Sequence, residues 1–232
     1  MFLTGRNLGK VDSVAEEIKE VGGKAESAQV DALDETAVDK HLQSVIDQTG
    51  SVDISFNAIG IPNTRLQGVT LVDLDVDQFS LPISTYTRSY FLTARLAARR
   101  MIAQGSGVIM AITSVASRTG VPLVVGVSSA MAAVDALTRA LSAELAPKGI
   151  RAVGLRPQGI PETGTIREVF GLHAKTWGMS WAQFQGLVAS RTHSGRLTTL
   201  EEMANMAVFM ASDKASAVTR TIVNMSLGSL DD

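Results

Sequence analysis

The sequence contains no cysteine, which excludes disulfide bonds, thiolate metal ligands and a cysteine nucleophile. Its three histidines, His41, His173 and His193, lie at no metal-ligand spacing, so we predict no metal site. No apolar run reaches the roughly 18 residues that a membrane span requires. No long basic run favours nucleic acid or an anionic membrane as a partner. The apolar start of the chain is short for a signal peptide, so a cytoplasmic protein is the default expectation.

Apolar, β-prone runs alternate with helical patterns along the 232 residues. The clearest strands are predicted at 52–56, 107–113 and 150–155, and helical spacing of apolar residues separates them. Continuous apolar strands of this kind favour a parallel sheet covered by helices on both faces. Right-handed crossovers then predict an α/β, doubly wound fold in a single domain over residues 1–232.

Helix boundaries are signalled by capping residues. Asp34 is suited to begin one helix, and Thr199 with Glu202 has the spacing of a capping box. A longer helix is predicted to begin near Ser84 and to end near Gln104. Phe91, Leu92 and Leu96 are expected to lie together on one side of it.

Residues 157–196 are rich in glycine, proline, serine and threonine, which predicts a long excursion with short helices. Its apolar side chains, Trp177 and Trp181 among them, are candidates for either core or lid. His173 lies in the same segment and is expected to be a solvated loop histidine.

Several short sequence motifs occur along this chain in the same order as in one enzyme family. They are Gly5-Arg6-Asn7, Val30-Asp31, Asp53–Gly60 (against the pattern D-x-x-x-N-N-A-G), Ile112-Thr113-Ser114, Ala132–Arg139 and Ala211–Ser216. The chain therefore resembles the short-chain dehydrogenase/reductase family over essentially its whole length. The resemblance implies a Rossmann-like doubly wound parallel sheet and NAD(P)-dependent oxidoreductase chemistry.

The resemblance also implies roles for individual residues. Arg6 would contact the 2′-phosphate of NADP, and Asp31 would lie near the adenine. Asn57 and Gly60 match the family's cofactor-binding phrase, and Ser114 matches the catalytic serine. An arginine after a strand is otherwise most often a solvated charge, so both interpretations of Arg6 remain open.

The family's glycine-rich turn, T-G-x-x-x-G-x-G, has no full counterpart. Val11 stands where the last glycine would be, so the chain resembles a member that begins one βα unit later. Because those glycines bring backbone donors and a helix N-terminus to the pyrophosphate, we expect NADP binding to be weak or absent. Near the C-terminus, the usual T-G phrase becomes Thr219-Arg220.

The family's catalytic dyad, Y-x-x-x-K, is also missing. Counting thirteen residues from Ser114 reaches Val127, and the lysine position is then Met131. The position of the family's asparagine, in the preceding helix, falls on Tyr86. Of the four catalytic positions, only Ser114 matches.

Loss of the dyad bears directly on the chemistry, because hydride transfer to a carbonyl builds an alkoxide that must be protonated. Positioned acid–base catalysis contributes about 10²–10⁴-fold to such a step. Neither Val127 nor Met131 supplies a proton, so we predict an impaired or inactive homologue. The alternative is an active NADP-dependent oxidoreductase that reduces a carbonyl with Ser114 and a surrogate acid such as Tyr86. Tyr86 is otherwise expected to fill space beside Val127 and Met131.

The family's usual interfaces imply a homo-oligomer formed through helices near 84–104 and 128–147. A hetero-oligomer with an intact family member is a further prediction. The absent first strand leaves two sheet edges without partners. Either the strand near Phe2–Gly5 shifts into the gap, or another copy pairs there, or the sequence is a truncated product.

Overall fold

The computed structural model of the protein describes residues 1–231. The strands are β1 (Phe2–Gly5), β2 (Glu26–Gln29), β3 (Ile54–Asn57), β4 (Gly107–Ile112), β5 (Ile150–Pro157) and β6 (Ile222–Met225). The helices are α1 (Leu8–Glu20), α2 (Glu35–Thr49), α3 (Val76–Gln104), α4 (Val125–Leu145), α5 (Gly164–Thr176), α6 (Trp181–Ser190) and α7 (Leu200–Ala211).

All paired strands are parallel, and they form two sheets rather than one. β1 pairs with β2, and the second sheet has the order β3-β4-β5-β6. Over residues 1–231 no ladder joins β1 to β3, so the first strand does not shift into the gap. Ile54 and Phe56 of β3 accordingly remain 50% and 40% exposed. The predicted α/β fold is confirmed, and no strand bridges β1 and β3 within residues 1–231.

Helices cover both faces of the four-stranded sheet, as the alternation of side chains in β4 shows. Ile109 and Ala111 contribute to a core shared with α3 and α4. Val108 and Met110 point to the opposite face and pack with residues of α7. Since both faces of the sheet are buried at β4, the sequence of this strand is a continuous apolar run rather than an alternation of apolar and polar residues.

The prediction that the long helix begins near Ser84 was wrong, because α3 begins at Val76. The Asp75 side chain caps it by accepting hydrogen bonds from the backbone N–H groups of Asp77 and Gln78. Pro82 lies inside this helix and is buried. A proline in that place suggests a boundary in the sequence, but here tertiary packing retains it within the helix.

The expected inner side of α3 also needs correction. Leu92 and Leu96 are buried, whereas Phe91 is 46% exposed. Arg95, one turn further along, lies over the Phe91 ring at 5.1 Å. Phe91 therefore belongs to the outer surface of the helix.

The excursion at 157–196 folds into α5 and α6, which confirms the prediction of short helices. Phe170, Ala174, Phe184 and Leu197 form its own buried cluster, and the two tryptophans pack against that cluster. The expectation for His173 was wrong: it lies on α5, is 2% exposed and has its ring 5.4 Å from that of Phe184. The helix turns this position inward, onto the cluster.

Candidate functional site

The residues predicted to form the site lie at the carboxyl ends of four parallel strands. Arg6 follows β1, Asp31 follows β2, Asn57 ends β3 and Ser114 follows β4. In open α/β sheets this edge is where ligands bind. The fold thus places the predicted residues at the edge where the family resemblance requires them.

Ser114 begins a single 3-10 turn, Val115–Ser117. Its Oγ accepts a hydrogen bond of 3.2 Å from the backbone N–H of Ala116, and the residue is half-buried. The hydroxyl retains its own proton, which could be donated to a carbonyl oxygen. By itself this group orients a substrate but does not replace a general acid.

Val127 and Met131 lie in the first two turns of α4, which packs against the turn that follows Ser114. They are 9% and 5% exposed and form a small apolar cluster with Ala130. Ile83 and Tyr86 of α3 pack against this cluster. The positions at which the family resemblance predicts a phenol and an ammonium thus carry aliphatic groups, which lie in a closed apolar environment.

Tyr86 is the aromatic residue of this group, and its position matches the expectation of a side chain that fills space. Burial raises the pKa of the Tyr86 phenol, and the Ile61 backbone opposes that rise only in part. A lysine ammonium would lower the pKa of a tyrosine by favouring the phenolate. The residues that pack around Tyr86 in this cluster carry no charge, so none of them favours the phenolate.

Two of the candidate cofactor-binding residues, Asp31 and Asn57, already form hydrogen bonds within the protein. The Oδ1 of Asp31 accepts from the backbone N–H of Leu33 at 2.9 Å, and the Asn57 Nδ2 donates to Thr93 Oγ1 at 3.1 Å. Arg6 is exposed and makes no ion pair within residues 1–231. The exposed position of Arg6 is compatible both with a contact to the 2′-phosphate of NADP and with a solvated charge.

A dinucleotide fits this edge only in part. Arg6 and Asp31 are the residues for which the family resemblance predicts contacts to the adenine half, but between β1 and β3 the described residues supply neither a strand nor a glycine-rich turn. A Cβ on Gly60 would meet no protein atom closer than Thr165 Oγ1 at 3.9 Å, so packing within the protein does not itself require a glycine here. Backbone donors for a diphosphate are therefore missing, and the residues present do not fit the whole cofactor.

The loop after β3 is held by a residue that sequence reasoning did not single out. Glu168 Oε1 accepts from the backbone N–H groups of Asn63 and Thr64 at 2.9 and 3.0 Å, and from the Thr64 hydroxyl at 3.1 Å. Burial acts to raise the pKa of Glu168, but these donors outweigh it and lower the pKa. No local pattern could reveal this contact, because about a hundred residues separate its partners.

Over residues 1–231, no three histidine, aspartate or glutamate side chains are grouped so that they could hold a metal ion. In the same range, no helix is both long enough and apolar enough to cross a membrane. A cavity of about 800 Å³ lies beside Asp135 of α4 and β6, and neither Ser114 nor Tyr86 lines it.

Comparison with known proteins identifies the family. A family model described as enoyl-(acyl carrier protein) reductase matches residues 1–229. An uncharacterized oxidoreductase of Bacillus subtilis, YxbG, is 30% identical over 213 residues, covering 92% of this chain and 75% of its own. The chain belongs to the short-chain dehydrogenase/reductase family. Within that family, the match extends along nearly the whole of the chain.

Solved structures of short-chain dehydrogenases/reductases superpose closely on this fold. Sorbitol-6-phosphate 2-dehydrogenase from Erwinia amylovora has a TM-score of 0.91 at 23% identity, covering 100% of this chain and 90% of its own. A gluconate 5-dehydrogenase from Burkholderia cenocepacia, solved with NADP and tartrate, has a TM-score of 0.82 at 25% identity, covering 98% and 83%. These likenesses confirm the Rossmann-like architecture predicted from the sequence.

Proposed function

We propose that this short-chain dehydrogenase/reductase homologue keeps the family scaffold but does not catalyse hydride transfer, and that it acts through assembly. The observation that carries the proposal is the apolar cluster of Val127, Ala130 and Met131, closed by Ile83 and Tyr86. It occupies the positions from which the family protonates an alkoxide. A site without a proton donor there loses the acid–base contribution of about 10²–10⁴-fold.

The proposal extends to the cofactor, which we expect to bind weakly or not at all. The gluconate 5-dehydrogenase neighbour was solved with NADP, so the fold is compatible with this dinucleotide. In the present chain, Arg6 and Asp31 would offer contacts to its adenine half. The diphosphate would lack the backbone N–H groups and helix dipole that normally stabilise its charge.

Assembly is proposed through the outer surfaces of α3 and α4. Ala136 and Ala140 lie one turn apart on α4 and are exposed, forming a stripe that permits close helix approach. Phe91 adds a large exposed aromatic surface on α3. A second copy of this chain is the proposed partner, and an intact family member is the alternative partner.

The catalytic part of the proposal is tested by NADPH consumption with a panel of ketones and quinones. We expect no turnover above the rate without protein. Turnover above that rate would overturn the proposal. Tyr86→Phe then decides whether Tyr86 is the surrogate acid, because loss of turnover in that variant would establish the active alternative.

The assembly part is tested separately by light scattering during size-exclusion chromatography. We expect at least a dimer for the natural sequence. Ala136→Arg places a large cation on the α4 stripe and should shift the mass toward the monomer. Ala217→Arg is the matched control, because Ala217 is exposed but lies outside α3 and α4. A monomeric natural protein, or identical masses for both variants, would contradict the proposed interface.

A further inference from the structure

The cavity beside β6 is separate from the site at the strand ends. On α4, Val127 and Met131 point toward α3, whereas Asp135 and Arg139 line this cavity together with residues of β6. Its volume of about 800 Å³ lies in the range of small-molecule binding sites. The cavity is thus large enough for a ligand that the strand-end site would not share.

The lining is strongly positive. Arg118, Arg139, Arg156 and Arg220 all contribute to it, against the single carboxylate of Asp135. Arg118, Arg139 and Arg220 are exposed, and none pairs with a carboxylate in the part of the chain that the structure describes. The chain as a whole carries a formal charge of -2, so this concentration of positive charge is local. Such a lining favours an anionic ligand.

A buried ion pair forms the floor of the cavity, and one of its carboxylate oxygens has no hydrogen-bond partner within residues 1–231. Arg156 Nη2 donates to Asp135 Oδ2 at 2.6 Å, and its Nε donates to Ser117 Oγ at 3.1 Å. Asp135 Oδ1 is buried without any hydrogen-bond donor in the described chain. A buried acceptor without a partner is costly, and a ligand that brings a donor would relieve that cost.

The backbone conformation of Arg220 is an independent indication that the arginines of the cavity lining have a specific role. Its φ of 63° lies in the left-handed region, which non-glycine residues rarely adopt. Glycine would hold this conformation without strain, and the family resemblance places glycine here. The chain instead keeps an arginine whose side chain lines the cavity.

We propose that this cavity binds a phosphate group accompanied by a hydroxyl, either as hydrogen phosphate or as a small phosphate monoester whose organic part carries a hydroxyl. The planar arginine side chains suit phosphate oxygens, which accept several of their N–H groups at once. The accompanying hydroxyl would donate to Asp135 Oδ1. Sulfate matches the charge but brings no donor, so the site should discriminate against it.

The test is calorimetric titration of the full chain with inorganic phosphate, glycerol 3-phosphate and sulfate at one ionic strength. We expect saturable binding of at least one phosphate compound and affinity for sulfate that is about tenfold weaker or less. Tighter binding of glycerol 3-phosphate identifies a monoester as the ligand, and tighter binding of inorganic phosphate identifies the free ion. Equal affinity for sulfate, or no saturable binding, overturns the proposal.

Variants separate this site from general ionic effects. Arg139→Ala and Arg220→Gly should each weaken phosphate binding about tenfold or more, since each removes a charged donor. Arg220→Gly should at the same time keep or raise the melting temperature, because glycine relieves the left-handed conformation. Arg191→Ala is the control: Arg191 is exposed after α6, lies outside α3 and α4 and does not line the cavity. Unchanged binding in both cavity variants would contradict the assignment.

Discussion

Arg156 of β5 and Asp135 of α4 form an ion pair of 2.6 Å in which only 4% and 5% of the side chains are exposed. The pair joins the central sheet to the helix that carries Val127 and Met131. Because both charges are removed from water, each depends on the other for compensation. It is therefore the ionic contact of this fold whose loss should matter most.

Replacing Asp135 by alanine would leave the guanidinium of Arg156 buried without its partner. We expect Asp135→Ala to lower the free energy of unfolding by about 3–5 kcal/mol, measured by urea denaturation. Arg196→Ala serves as control, because the Arg196–Glu202 pair has the same 2.6 Å separation but is largely exposed. Its loss should cost far less. Equal losses for the two variants would show that burial does not set the value of the Asp135 pair.

His173 should make stability dependent on pH. Burial lowers its pKa, and neither ring nitrogen has a hydrogen-bond partner within residues 1–231. The unfolded chain then binds the proton more readily than the folded one. His173 should therefore reduce stability as the pH falls below the unfolded value of 6.5.

The measurement is the melting temperature of the natural protein and of His173→Phe between about pH 7.5 and pH 5.5. Phenylalanine fits the aromatic surroundings of Phe170 and Phe184 and carries no titratable group. We expect the variant to lose less stability on acidification than the natural protein. Parallel pH profiles for the two proteins would rule out His173 as a source of the dependence.

Gly126 is required by the close approach of α3 and α4. A Cβ there would lie 2.9 Å from the Phe79 carbonyl oxygen and 3.1 Å from Pro82 Cγ. Gly126→Ala should therefore destabilise the protein by about 1–3 kcal/mol. Gly171→Ala is the matched control in α5, where a Cβ meets nothing within 4 Å. It should instead stabilise by up to about 1 kcal/mol, and thermal unfolding of both variants checks the contrast.

Restoring the family dyad should not restore activity. Val127→Tyr with Met131→Lys would put a hydroxyl and an ammonium into an apolar cluster, and the diphosphate donors would still be absent. We expect no NADPH turnover and a loss of about 2–4 kcal/mol in stability. Val127→Ile with Met131→Leu is the apolar control and should cost less than about 1.5 kcal/mol. Turnover in the Tyr/Lys variant would show that the dyad alone was limiting.

The order of strands and helices was predictable because buried parallel strands and amphipathic helices leave regular patterns. The caps at Asp34 and Thr199 were confirmed, since capping depends on residues three apart in the chain. The beginning of α3 was not predictable in the same way. There, Pro82 suggests a boundary, and only its packing against Gly126 shows that the helix continues.

Some of the site residues were likewise predictable from the sequence, and others were not. Counting from Ser114 reached Val127 and Met131, and both lie on α4, where the regular spacing of apolar residues predicted a helix. The burial of His173 was missed because glycine and proline signals in 157–196 obscure a helix that packs inward. The arginines around Asp135 were missed as a group because they come together only through the fold.

The most direct test of the central claim is a titration of the purified full chain with NADPH, followed by nucleotide fluorescence and by nucleotide oxidation when a carbonyl substrate is added. The account predicts no saturable binding at the concentrations that occupy an active family member, and no oxidation above the rate without protein. Stoichiometric binding accompanied by catalytic turnover would contradict it.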